Sequence, residues 1–158
     1  MIKVNLIVVG SLKENYLKEA SNEYSKRLTK FCDLNILELN EYKLNNNPNK
    51  SEIEIIKNNE GKLILSKLKG YVIVLDVFAK QLSSEELALK VKNLIDYGTG
   101  EITFVIGGSY GILEEVKNKA NFCLSFSKMT FPHQLIRVVL LEQIYRVFCI
   151  NNDINYHK

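Results

Sequence analysis

Apolar positions along the chain follow two alternating rhythms: short β-branched runs, and apolar residues three or four apart. Residues 2–9, IKVNLIVV, form a run closed by Gly10 and predict a strand. Leu12, Tyr16, Ala20, Tyr24 and Leu28 then recur at intervals of four and predict an amphipathic helix with these side chains on one face. LNILEL, residues 34–39, predicts a second strand, and EYKLNNNPNK, with its Asn run and Pro48, a flexible loop that could be a disordered excursion. Ser51 with Glu54 has the form of a capping box opening a helix to about Lys69, with Gly61 a weak point inside it. YVIVLDV, residues 71–77, is apolar almost throughout, as suits a central parallel strand covered on both faces.

A second capping box, Ser83 with Glu86, predicts a helix through about Tyr97, followed by the buried strand EITFVI at 101–106 and a turn over Gly107–Gly111. A short helix from Ile112 to about Ala120, a fifth strand FCLSF at 122–126 and a long helix from near Thr130 and Pro132 to near Phe148 complete the pattern. Strands alternating with helices, without two-residue hairpin signals, imply crossover connections. The expected fold is α/β with a mostly parallel sheet of about five strands, in a single domain over 1–158 without internal repeats.

Composition narrows the function classes. At 158 residues, 46% hydrophobic and 25% charged, with 8 Gly and 2 Pro, the chain has the balance of one globular domain and not of a disordered or multidomain protein. No apolar stretch approaches the roughly 20 residues that span a bilayer, and the N-terminus lacks a small-residue cleavage site, so a cytoplasmic protein without membrane contact is expected. Cys32, Cys123 and Cys149 lie far apart among apolar neighbours, as buried reduced thiols do. His133 and His157 have no Cys or His partner at ligand spacing, so no metal is expected. Residues 1–31 carry six Lys/Arg against three Glu and residues 126–158 carry four against two, which leaves the middle net −2 within a total of +3. The positive excess at the two ends fits either solvation or a nucleic-acid footprint.

In open α/β sheets ligands collect beyond the carboxyl ends of strands, which directs attention to the loops after Leu75, Ile106 and Phe126. Gly107-Gly108-Ser109-Tyr110-Gly111 would let backbone groups approach a ligand, or would simply turn the chain. It also matches G-x-S-x-G, with Ser109 as a hydrolase nucleophile and Glu142 or Asp153 followed by His157 in the order acid, then base. The segment 125–148 places Lys128 and Met129 where a loop could line a pocket for an adenine-bearing cofactor. In the following helix His133 and Arg137 share a face, as do Glu142 and Arg146, a spacing equally common in ordinary helix-surface ion pairs. The tail offers Tyr156 to stack on a base, with His157 and Lys158 to meet phosphate or exchange a proton.

Four segments taken together, VVGSLKE, FVIGGSYG, SFSKMTFPHQLIRVVLLEQIYR and the terminal YHK, resemble the RlmH family. These are ribosomal large-subunit pseudouridine N3-methyltransferases of the SPOUT superfamily, and the resemblance spans essentially the whole chain. It implies a SPOUT-type sheet of five to six strands with a C-terminal trefoil knot, which general topology rules would not predict. It further implies a homodimer, S-adenosyl-L-methionine as cofactor, and 23S ribosomal RNA on the assembled ribosome as partner. Carried over by position, cofactor contacts would be Leu75, Gly107, Gly108, Phe126, Ser127, Lys128, Met129, Thr130 and Phe131. Pseudouridine N3 is a weak nucleophile until deprotonated, so the site must align it and favour its anion. Arg146, Tyr156 and His157 are expected to position the nucleotide and stabilise or accept the imide proton, with Glu142 orienting Arg146. A serine hydrolase using Ser109 and a noncatalytic ribosome-binding protein are the competing readings.

Overall fold

The structure is a computed structural model that describes residues 1–158. Five strands alternate with five helices: β1 Ile2–Val9, α1 Asn15–Leu28, β2 Cys32–Leu39, α2 Lys50–Leu65, β3 Tyr71–Gln81, α3 Ser84–Asp96, β4 Glu101–Ile106, α4 Glu114–Lys119, β5 Phe122–Ser125 and α5 His133–Asn151. The strands form one sheet in the order β2-β1-β4-β3-β5, and every pairing is parallel, as crossover connections require. Both faces are covered, which is why Val72–Val74 of β3 and Ile102–Ile106 of β4 are buried without a break. Alternate residues of β1 divide between two cores: Val4, Leu6 and Val8 face α1, α3 and α5, while Ile7 and Val9 face α2 and α4. Helix α5 packs against both α1 and α3 and buries Leu140, Leu141, Ile144, Val147 and Cys149. Truncating Leu141 to Ala would cost about 2–5 kcal/mol by the usual cavity penalty. No helix is long and apolar enough to cross a membrane.

Several elements differ in detail from the sequence reading. In α1, Tyr16 is 67% exposed while Leu17, Ser21 and Leu28 are buried, and Leu12 precedes the helix. A strict spacing of four overshoots the 3.6-residue turn by about 40° per step and so walks off the core stripe. Helix α2 opens two residues earlier than the Ser51/Glu54 pattern suggests: Asn49 accepts from Glu52 N, and the Glu52 side chain accepts from Asn49 N. Ser51 lies inside the helix, donating to the Asn49 side chain. The Asn-rich segment is folded over this end, with Asn47 N donating to Asn45 Oδ1 and the Asn45 amide meeting Glu52. Helix α2 stops at Leu65, before the expected Lys69, and α5 runs on to Asn151, past Phe148.

Strand β3 reaches Gln81 through a break in register: Leu124 pairs with both Leu75 and Lys80, so residues 76–79 loop out of the ladder. That excursion lies at the carboxyl end of the sheet, beside the loops that follow β4 and β5.

Candidate functional site

A cavity of about 340 Å³ opens where these three loops converge. Its lining includes Leu75 and Asp76 from β3, Gly107, Gly108 and Tyr110 from the turn after β4, and Phe126, Ser127, Met129, Thr130 and Phe131 from the segment after β5. Side-chain hydrogen bonds fix its walls. Ser125, almost fully buried, places Oγ 3.0 Å from Val77 O and 2.9 Å from Ser127 O, stapling the β3 excursion to the loop after β5. Asp76 accepts from Phe78 N at 3.1 Å and pairs with Lys117 of α4 at 3.3 Å, while Ser127 Oγ accepts from Met129 N at 3.0 Å. The glycine turn is tightly packed: a Cβ on Gly107 would lie 2.3 Å from Ile112 Cγ1, and Gly111 sits at φ +98°. Of the nine positions expected to contact a cofactor, the structure brings eight to this cavity. Lys128 is exposed and lies outside its lining.

Behind the turn, Ser109 Oγ lies 3.4 Å from His133 Nδ1, and His133 Nε2 lies 3.8 Å from Glu41 Oε1. Burial lowers the His133 pKa below its usual value, against the pull of Glu41. Arg137, one helical turn on, is buried and anchors the end of β1 by donating to Gly10 O at 3.0 Å and Glu38 Oε2 at 2.7 Å. The imidazole beside Ser109 is therefore His133 and not the His157 that the hydrolase reading required. Both ring nitrogens of His157 are engaged elsewhere.

Glu142, Arg146, Tyr156 and His157 form a second cluster where α5 meets the tail. Arg146 Nε donates to Glu142 Oε1 at 3.1 Å and a second guanidinium N–H meets the same carboxylate, which raises the Arg146 pKa further. Tyr156 OH donates to Glu142 Oε1 at 2.9 Å, and its ring lies 4.7 Å from the Arg146 guanidinium carbon. Burial first, and the Glu142 bond second, push the Tyr156 phenol well above its ordinary pKa. Arg146 Nη1 lies 3.1 Å from His157 Nδ1, and His157 Nε2 lies 2.6 Å from Glu85 Oε1 of α3. A guanidinium can only donate, so Nδ1 accepts and the proton sits on Nε2, facing Glu85. Ser84 Oγ donates to Gln143 Oε1 at 2.7 Å and Gln143 Nε2 to Glu142 Oε2 at 3.0 Å, extending the network to the start of α3.

The four tail-cluster residues are brought together by the fold, yet none of them lines the 340 Å³ cavity. Sequence reasoning missed Asp76 and Lys117, because nothing in YVIVLDV signals a looped-out excursion. It also missed Glu60, for which a signal existed: Ile56, Glu60 and Ile64 are four apart, so the carboxyl lies on the buried stripe of α2.

A parallel sheet with backbone-rich loops at its carboxyl end is a ligand-binding α/β architecture, and comparison with known proteins places it in a family. The family described as "Predicted SPOUT methyltransferase" matches residues 2–157. Among solved structures, a methylase family protein from Haemophilus influenzae Rd KW20 superposes with a TM-score of 0.57 at 11% identity, covering 100% of this chain and 72% of that one. A protein from Legionella pneumophila, solved in complex with the bound cofactor SAM, superposes with a TM-score of 0.52 at 14% identity, covering 95% of this chain and 66% of that one. At such identities these two show the fold alone. The chain belongs to the SPOUT methyltransferase family. Within it, the proteins named Ribosomal RNA large subunit methyltransferase H from Clostridium novyi (strain NT) and Clostridioides difficile (strain 630) are 54% and 50% identical over 159 residues, covering 99% of this chain and 100% of each relative. This is the RlmH branch that the sequence motifs resemble.

Proposed function

We propose that the chain transfers a methyl group from S-adenosyl-L-methionine to N3 of a pseudouridine in 23S ribosomal RNA, on the assembled ribosome. The observation that carries this reading is the single cavity assembled from the excursion within β3 and the loops after β4 and β5, the places at which an adenosyl cofactor would be held. Its size falls within the range of about 300–1,000 Å³ common for small-molecule sites. Leu75, Ile112 and Phe126 supply apolar walls for a purine, and Ser127 and Thr130 supply hydroxyls beside exposed backbone. When bound, the cofactor supplies an electrophilic methyl on a sulfonium. Leu75, Gly107, Gly108 and Phe126 through Phe131 are the residues proposed to hold it, Lys128 from the rim.

On the acceptor side, Arg146 offers a permanent positive charge to a base that must lose its N3 proton, and Glu142 fixes the plane of that guanidinium. Tyr156, held neutral by its raised pKa, orients the cluster through its bond to Glu142 and is not itself a base. His157 could accept the imide proton only on Nδ1, and only after Arg146 Nη1 turns away to the nucleotide. Since none of these residues lines the cavity of its own chain, the reading requires that a partner's tail reach it and that the homodimer be the catalytic unit. The exposed side chains of Phe78 and Met129 at the cavity rim are apolar surface that such a partner would cover. Family membership supports the remaining parts of the reading: a trefoil knot near the C-terminus, one domain over 1–158, and a cytoplasmic location where ribosomes assemble.

Calorimetric titration with S-adenosylmethionine and with its demethylated product, followed by methyl transfer to ribosomes lacking the modification, tests this. The expected result is saturable binding of both ligands and methylation at N3. Ribosome binding without any methyl transfer would overturn it in favour of a noncatalytic protein.

A further inference from the structure

Glu60 carries a carboxyl group into a place built for apolar side chains. It occupies the buried stripe of α2 between Ile56 and Ile64 and is 5% exposed. Its Oε2 accepts from Tyr42 N at 3.1 Å, but Oε1 is buried without a hydrogen-bond partner. Burial of this kind raises the carboxyl pKa and is unfavourable unless the group serves a purpose that a leucine would not. The surroundings indicate one. A Cβ placed on Gly108 would lie 2.7 Å from Glu60 Oε1 and 3.3 Å from Val9 Cγ1, so the turn rests its bare Cα directly on the carboxyl. At the next residue of α2, a Cβ on Gly61 would lie 2.6 Å from Leu113 Cβ. Two consecutive helix positions thus bear on the two ends of the segment 108–113, whose near side lines the cofactor cavity. The two other buried side-chain atoms without hydrogen-bond partners, His133 Nε2 and Arg137 Nε, belong to the α5 stretch behind the same turn.

We infer that Glu60 is a positioning residue for the cofactor cavity: its carboxyl, tethered to the Tyr42 backbone, is the stop against which Gly108 rests and sets how far the Gly107–Gly111 turn stands into the cavity. This rests on the cavity being the S-adenosylmethionine site. A carboxyl suits the role because one oxygen is anchored by a backbone N–H while the other presents a hard edge to a glycine. An aliphatic side chain would fill the space without fixing its height.

The test is a mutant cycle read as the S-adenosylmethionine Kd by calorimetry on the full chain, with thermal unfolding run beside it. Gly108→Ala is expected to weaken binding at least tenfold, because the new methyl meets Oε1. Adding Glu60→Ala gives that methyl room, so the double variant should bind within about threefold of Glu60→Ala alone, a non-additivity that shared contact produces. Glu60→Gln has the same shape, so it should bind like the wild type and should not relieve Gly108→Ala. Equal penalties for Gly108→Ala in the wild-type and Glu60→Ala backgrounds would overturn the inference. Should Gly108→Ala fail to fold, the single variants decide: Glu60→Ala must weaken binding about fivefold or more while Glu60→Gln does not, and equal Kd values sink the idea. Wild-type protein that binds no cofactor, with or without ribosomes, would instead remove the cofactor reading and this inference with it.

Discussion

The cavity at the strand ends and the cluster on α5 are built from opposite materials. The cavity consists of backbone and apolar walls, held in shape by buried hydroxyls and glycines that lack room for a side chain. The cluster consists of charged and aromatic side chains whose hydrogen bonds are made to one another: Glu142 to Arg146 and Tyr156, His157 to Arg146 and Glu85. The neutral, planar adenine ring of an adenosyl cofactor can be recognised by shape and backbone, which needs rigidity. An acceptor that must lose a proton needs a movable charge, and under the proposed function the charges of the tail cluster, paired with one another here, would be released to the substrate. Substitutions in the two regions should therefore separate cofactor affinity from turnover.

The largest separation is expected from Arg146→Ala. Removing a donor that stabilises developing negative charge commonly lowers kcat by about 10²–10³-fold. Methyl transfer to ribosomes should fall by that order while the calorimetric Kd for S-adenosylmethionine stays within about twofold of wild type. A comparable loss of cofactor affinity would show that the two regions are not separate. Gly107→Ala should give the converse at smaller scale. Its methyl would meet Ile112 at 2.3 Å, an overpacking strain of about 1–3 kcal/mol that raises the Kd roughly tenfold and leaves turnover at saturating cofactor nearly intact. Tyr156→Phe removes one hydrogen bond to Glu142, worth about 1 kcal/mol, so turnover should fall about fivefold with Kd unchanged.

The two regions also differed in how far the sequence foretold them. Strand β4 was legible to the residue, because Ile102–Ile106 is a run of β-branched and aromatic side chains and Gly100 and Gly107 bound the strand, and with it the turn that walls the cavity. The cluster was legible only as spacings. Glu142 and Arg146 at i,i+4 look the same whether they form a surface pair or hold a nucleotide, and nothing local says that Tyr156 and His157 fold back onto them. Sheet order, the looped-out residues 76–79 and the burial of Arg137 against Glu38 and Gly10 are long-range outcomes with no local signature. Where local chemistry did mislead, two solutions competed within two residues: Asn49 with Glu52 and Ser51 with Glu54 both satisfy a capping pattern, and the Asn pair caps the helix.

Acid should loosen the two regions in sequence, the smallest effect and the finest test of the contrast. Burial lowers the His133 pKa below 6.5, with Arg137 and Lys13 adding to it and Glu41 opposing. Between that lowered value and 6.5 the unfolded chain binds more protons at this site than the folded one, so its contribution to stability is lost as pH falls through this window. Glu85 is lowered as well, chiefly by its hydrogen bond from His157, from a reference of 4.5. Its contribution is present above 4.5 and is lost only as pH falls below that, toward the depressed folded value. Urea midpoints measured from about pH 7.5 to about pH 3.5 should therefore decline in two stages. His133→Gln should flatten the upper stage and leave the lower, and Glu85→Gln the reverse. An upper stage that survives His133→Gln unchanged would mean that the imidazole behind the glycine turn is not what ties the cavity wall to pH.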